Sequence, residues 1–249
     1  MKFQNQWFAL PVLAGFLTSA PTLFATTYSG NGDTGFGGPI GNGSLSLTDD
    51  GTTLFGTLSK GLNNFNDVLV VYVDSAPGGF SSTAGFGDAN DGLRKAISGF
   101  DGGASRSTLT FAGGFSPDYA LALGPSSDNF GGVWSLANGG GNSLGYAGSA
   151  NLSPVGNAAA STYTFSVSLA LLGLTPGNGQ SLELFGTYIS NTGYRSTESM
   201  LGNDSGSQGY NNFTQTSFVT YTTTPVPEPA TGALAASGVA LFYLIRRRR

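Results

Sequence analysis

The amino-acid sequence predicts an all-β protein, an antiparallel β-sandwich of the jelly-roll kind, and three observations carry that prediction. Apolar residues recur with a period of two in several short segments, and one segment, Asp67 to Asp74, is apolar throughout between its terminal acids. Glycine-rich stretches separate these segments, and no extended helical periodicity interrupts them. About nine or ten strands joined by such loops suit two packed sheets, with a closed barrel as the second choice. No fixed-period repeat is visible, which disfavours a solenoid or propeller.

Taken in chain order, Ser44 to Thr48 and Thr52 to Leu58 alternate around Asp49-Asp50-Gly51, whose residues suit the positive φ of a tight hairpin. Asp67-Val68-Leu69-Val70-Val71-Tyr72-Val73-Asp74 reads as a central strand buried on both faces. Ser107 to Phe111, Asp118 to Leu123 and Val133 to Leu136 follow as shorter strands. Thr162 to Leu169 places Tyr163, Phe165, Val167 and Leu169 on one face and hydroxyls on the other, a half-buried strand. Only Leu169 to Leu174 reads as a helical turn. Leu182 to Ser190 and Ser217 to Thr222 complete the set.

The two ends differ in character from this middle. Met1 and Lys2 precede the apolar stretch Trp7 to Leu17, which is too short to cross a bilayer and predicts a signal peptide over residues 1–25. Ala25 supplies the small side chain that signal peptidase needs before its cut. The alternative cut after Ala20 would leave Pro21 next, with no backbone N–H and a fixed φ. At the other end, Val226-Pro227-Glu228-Pro229 leads into an apolar run, Ala230 to Ile245, and then Arg246, Arg247, Arg248 and Arg249. As a helix the run is about 24 Å long, a marginal membrane span. Four arginines resist translocation, so they stay cytoplasmic and the residues before the helix lie on the other side.

This tripartite end resembles the PEP-CTERM sorting signal, on the Pro-Glu-Pro motif at residues 226–229, the short helix at 230–245 and the basic tail at 246–249. The resemblance implies that an exosortase, a membrane-embedded cysteine peptidase, cleaves near the motif. The protein would then be held briefly at the membrane and released to the cell surface or the extracellular polysaccharide matrix. An ordinary C-terminal anchor would account for the arginines but not for the prolines.

Residues 26–224 remain as one expected extracytoplasmic domain. Of the chain's 10 bases and 14 acids, Lys2, the four terminal arginines and Glu228 fall in the ends, which leaves the domain at about −8. Nucleic acid is excluded as a partner, since phosphate binding needs a basic face. The 249 residues include no cysteine and no histidine, so disulfides, thiolate chemistry, His-dependent triads and His-ligated zinc are excluded as well. Forty glycines suggest disorder, but recurring aromatic and β-branched residues supply the apolar area that disordered tracts lack.

The order of Asp67 to Asp74, a glycine-rich loop, Phe115-Ser116-Pro117-Asp118-Tyr119-Ala120-Leu121-Ala122-Leu123, Gly132-Val133-Trp134-Ser135-Leu136 and the late strand at Leu182 to Ser190 resembles the family-9 carbohydrate-binding and DOMON-like β-sandwiches. In that group a sheet face or its loops bind sugars through aromatic residues, and some members bind haem. The lack of histidine speaks against haem, and Met200 alone would be an unusual ligand. On this likeness Trp134, Tyr119 and Tyr194 are candidates to stack on sugar rings, with Arg195 and Asp118 as hydroxyl-binding partners. Aromatics on alternating strands more often belong to the core.

Asp88-Ala89-Asn90-Asp91-Gly92 gathers hard oxygen ligands of the kind Ca²⁺ prefers, although Asp91 stands one place early for an EF-hand loop. The alternative is a solvated turn; Asp74 and Asp101 would have to lie close by to complete a metal site. Glu183 on a strand and Glu198 in a loop carry no motif around them, and Gly113-Gly114 and Gly139-Gly140-Gly141 lack the helix and lysine of a phosphate cradle. The expectation is a non-enzymatic exported protein that binds or organises polysaccharide, with no cofactor beyond Ca²⁺. A secreted glycoside-active enzyme and a purely structural matrix or adhesive protein are the alternatives.

Overall fold

The computed structural model describes residues 25–136 and 143–226. The expected signal peptide before Ala25, and the run from Pro227 to Arg249 with its apolar segment and arginines, lie outside the described residues. Among the described residues no helix is long and apolar enough to cross a membrane.

The protein is all-β. A four-stranded antiparallel sheet is ordered β1-β2-β3-β9, from β1 (Thr26–Ser29), β2 (Ser44–Asp49), β3 (Thr53–Ser59) and β9 (Thr162–Ser168). The hairpin at Asp49 to Gly51 forms as the sequence predicts, with Gly51 at φ 80° and Asp50 accepting from the Thr52 and Thr53 amides. Strands β2, β3 and β9 bury apolar side chains at alternate positions, so one face of the sheet is dry and the other wet.

The second, nine-stranded sheet is built on β4 (Val68–Asp74). Around it lie β6 (Tyr119–Gly124), β7 (Phe130–Ser135), β8 (Gly145–Ser149), β10 (Ser181–Ile189), β12 (Gly202–Ser205) and β13 (Asn212–Thr222). Their order is β12-β13-β10-β4-β6-β7-β8, all antiparallel. Two further strands join it: β11 (Arg195–Met200) pairs with β10, and β5 (Thr108–Thr110) runs parallel to β13.

As expected for a central strand, β4 is buried on both faces. Leu69, Val71 and Val73 meet Leu45, Leu47, Leu54, Leu58, Phe165 and Val167 of the small sheet in the core between the sheets. Val68, Val70 and Tyr72 face a second core, under Leu93, Ala96 and Ile97 of a helix, α1 (Gly92–Ser98), together with Phe86, Phe115 and Phe213. Within its sequence context α1 is a departure: the only helical turn expected was at Leu169, where a 3-10 turn does form over Leu169–Leu172. Strands β1, β8, β11 and β12 also go beyond the expected set.

Candidate functional site

The site begins at Asp88. Its carboxylate is buried and accepts from the Asn90 amide at 3.1 Å, Asn90 Nδ2 at 2.8 Å and the Leu144 amide at 2.8 Å. These bonds fasten the 88–91 turn to the chain entering β8. Asp91 then caps α1, its Oδ1 accepting from the Arg94 amide at 2.8 Å, and Gly99 ends the helix in the left-handed region at φ 63°. The helix places Arg94 over the sheet. Its guanidinium pairs with Asp91 and, at 3.4 Å, with Asp88, and it lies 5.7 Å from the centroid of the Trp134 ring.

Three aromatic rings converge on this corner. Phe130 and Trp134 stand two positions either side of Gly132 on β7. A Cβ on Gly132 would come within 2.9 Å of Trp134 Cη2 and 3.0 Å of Phe130 Cε1, so only glycine leaves room for both rings. Tyr146 of β8 lies opposite Trp134 in register, with ring centroids 5.6 Å apart, and 6.3 Å from Phe130. Trp134 is 2% exposed, whereas Phe130 is 38% and Tyr146 50% exposed. With Leu93, Arg94, Asp91 and Asp128 they line an open cleft of about 410 Å³, a volume typical of small-ligand sites.

The cleft carries surplus negative charge. Asp128 Oδ2 accepts from the Ser127 hydroxyl at 2.7 Å. Burial pushes the Asp128 carboxyl up, and the neighbouring Asp91 charge adds to that shift. Among the described residues Arg94 is the one base lining the cleft, and Asp88 and Asp91 already hold it.

A second concavity of about 320 Å³ lies at the other end of β4. Asp74 and Glu183 stand directly opposite each other across β4 and β10 there, with Ser75, Ser181 and Thr220 nearby. Both carboxyls are raised, each mainly by burial, with like charge adding through Asp118 at Asp74 and through Asp74 at Glu183.

The structure does not bring the sequence-derived sugar candidates together. Trp134 lines the cleft but forms its floor, covered by Arg94 and Tyr146. Tyr119 is half-buried against the core between the sheets. Tyr194 is exposed elsewhere, stacked 5.9 Å from Phe36 and edge-on 5.3 Å from Tyr210. Arg195 and Asp118 lie inside the fold, away from the surface. Arg195 is fully buried, its Nη1 donating to Thr187 Oγ1 at 3.0 Å and its guanidinium 5.6 Å from the Phe213 ring. Asp118 turns inward to accept from the Ser75 and Ala76 amides at 3.2 and 2.9 Å.

In the Asp88, Asn90 and Asp91 cluster, the oxygens of Asp88 and Asp91 serve the turn, the helix cap and Arg94. Among the described residues no three carboxylates, histidines or cysteines are grouped to hold a metal. Glu198 is not in a loop: it lies on β11, fully buried, and accepts from the amides of Phe36, Gly38, Ile40 and Gly41 at 2.6 to 3.2 Å. Sequence reasoning missed Phe130, Tyr146, Asp128 and Arg94. The available signal was Asp91 and Gly99 bracketing Leu93, Ala96 and Ile97, the punctuation and spacing of a short helix.

No curated protein matches this sequence. Among solved structures, a protein from Bacteroides uniformis for which carbohydrate binding has been suggested shares 5% identity, with a TM-score of 0.34 over 76% of this chain and 72% of its own. That likeness is too distant to bear on fold or ligand. Residues 225–249 match the PEP-CTERM protein-sorting motif, so the chain carries the C-terminal signal that marks a protein for export, membrane association and exosortase processing.

Proposed function

We propose that the chain is an exported, non-enzymatic protein of the cell surface or extracellular matrix whose jelly-roll-like sandwich binds polysaccharide through the cleft at Phe130 and Tyr146. In this reading signal peptidase removes residues 1–25. The apolar run at 230–245 and Arg246–Arg249 hold the chain at the membrane until exosortase cuts near residues 226–229. The domain at 26–224 then works outside the cell. The observation that carries the binding role is the pairing of two partly exposed rings, Phe130 and Tyr146, with carboxylates in one cleft. Apolar ring faces pack on the C–H faces of sugars while carboxylates accept from their hydroxyls.

A glycan-binding screen of the full chain purified in mild detergent tests this, with Phe130→Ala as the comparison. Saturable binding to at least one glycan, reduced about tenfold or more in the variant, is expected. Absence of binding to every glycan would favour a purely structural matrix role.

One observation favours a second reading, a glycoside-active enzyme: the opposed Asp74 and Glu183 in the second concavity, both with raised carboxyl pKa. Release of new reducing ends by the wild type and not by Glu183→Gln would establish it.

A further inference from the structure

Resting on the glycan-binding reading above, we infer that the Phe130–Tyr146 cleft selects amine-bearing glycans, sugar chains with free protonated amino groups, over neutral and acidic ones. Three features of the cleft point to a cationic ligand.

The first is charge. Asp91 and Asp128 both line the cleft, and Arg94, its single base among the described residues, is already bound between Asp88 and Asp91. Asp128 is left with one neutral partner, the Ser127 hydroxyl, among the described residues. A half-buried carboxylate without a counter-charge gains from an incoming cation and loses from an incoming anion. None of the domain's other bases, Lys60, Lys95, Arg106 and Arg195, is among the described residues that line the cleft. Lys60 reaches the Asn63 carbonyl, Arg106 the Thr83 and Ser98 carbonyls, and Arg195 is sealed in the core. A uronic acid would therefore meet two carboxylates and no available cation.

The second is the aromatic wall. Ring faces attract an ammonium group through their quadrupole, and the effect grows where water is partly excluded. Trp134 already uses this interaction with Arg94, which leaves the exposed rings of Phe130 and Tyr146 for a ligand. The third is placement: Asp128 shares the cleft with these rings, so one ammonium can approach both a carboxylate and an aromatic face while the sugar ring packs on the other.

The test measures binding of the full chain to oligomers of glucosamine, N-acetylglucosamine, glucose and galacturonate at pH about 6, where the amines carry a proton, at low and high salt. Glucosamine oligomers are expected to bind about tenfold tighter than their acetylated counterparts and to lose that advantage at high salt, while neutral oligomers change little. Asp128→Asn is expected to abolish the preference for the free amine. Equal binding of acetylated and free-amine oligomers, a preference for galacturonate, or an unchanged preference in Asp128→Asn would overturn amine selection while leaving glycan binding standing. Absence of binding to all four would overturn amine selection as well, and the wider glycan screen above then decides the binding role itself. The salt comparison uses only the wild type, so the inference stays testable if the variant misfolds.

Discussion

Glu198 shows how one residue fixes a distant segment. Four backbone amides between Phe36 and Gly41 donate to its two oxygens, and Ser196 Oγ approaches one of them at 3.4 Å. A buried carboxylate is tolerated because its lone pairs are taken up. Glu198→Gln would turn an NH₂ group toward amides that need an acceptor, and the expected loss is about 3 kcal/mol of stability, read as a lower urea midpoint. Such a residue is illegible in sequence: Arg195, Ser196, Glu198 and Ser199 are all buried, so β11 lacks the polar-out pattern by which strands are recognised. The aromatic cleft was half legible for a related reason. Trp134 stood out by type, but its burial under Arg94 is a tertiary fact. Phe130 and Tyr146 gain their importance only from the pairing of β7 with β8.

At the scale of elements, what the sequence predicted well were strands with a clear apolar alternation, such as β2, β3 and β9. Each lies within a residue or two of its expected bounds because a one-residue slip would turn its whole apolar set outward. The short helix α1 escaped because seven residues give barely two turns of periodicity. Its cap, Asp91, also had another plausible use as an oxygen ligand. The same residue links helix and cleft, since Asp91 caps α1 and holds Arg94 over Trp134. Asp91→Ala should cost about 1 kcal/mol through the lost cap. It should also release Arg94 toward Asp128, which would weaken binding of cationic glycans more than of neutral ones. Thermal unfolding and the oligomer comparison above read these two effects separately.

For the whole molecule, partly buried acids set the pH dependence. Burial pushes Asp204 up to about 6 from an ordinary value of 3.8, against the opposing influence of Arg195. Asp67, Asp74, Asp128 and Glu183 are raised in the same direction. A carboxyl with a raised folded pKa binds its proton more tightly in the folded state. Its stabilisation is complete below the unfolded value and is lost as pH rises through the folded one. Asp50 and Asp101 are lowered, mainly by hydrogen bonds, and their contributions fade only as pH falls below the ordinary value. The domain should therefore grow more stable as pH drops from neutral to about 5, and Asp204→Asn should flatten that slope. Urea midpoints across the range check both statements.

The proposed binding role rests on the cleft at Tyr146 and not on other exposed aromatics. The direct measurement is an oligosaccharide titration of the full chain beside Tyr146→Ala and Tyr194→Ala, each with its melting temperature. Binding lost in Tyr146→Ala, kept in Tyr194→Ala, and melting temperatures close to wild type are the expected result. Binding that survives Tyr146→Ala, or is lost equally in Tyr194→Ala, would place the ligand elsewhere and contradict the cleft.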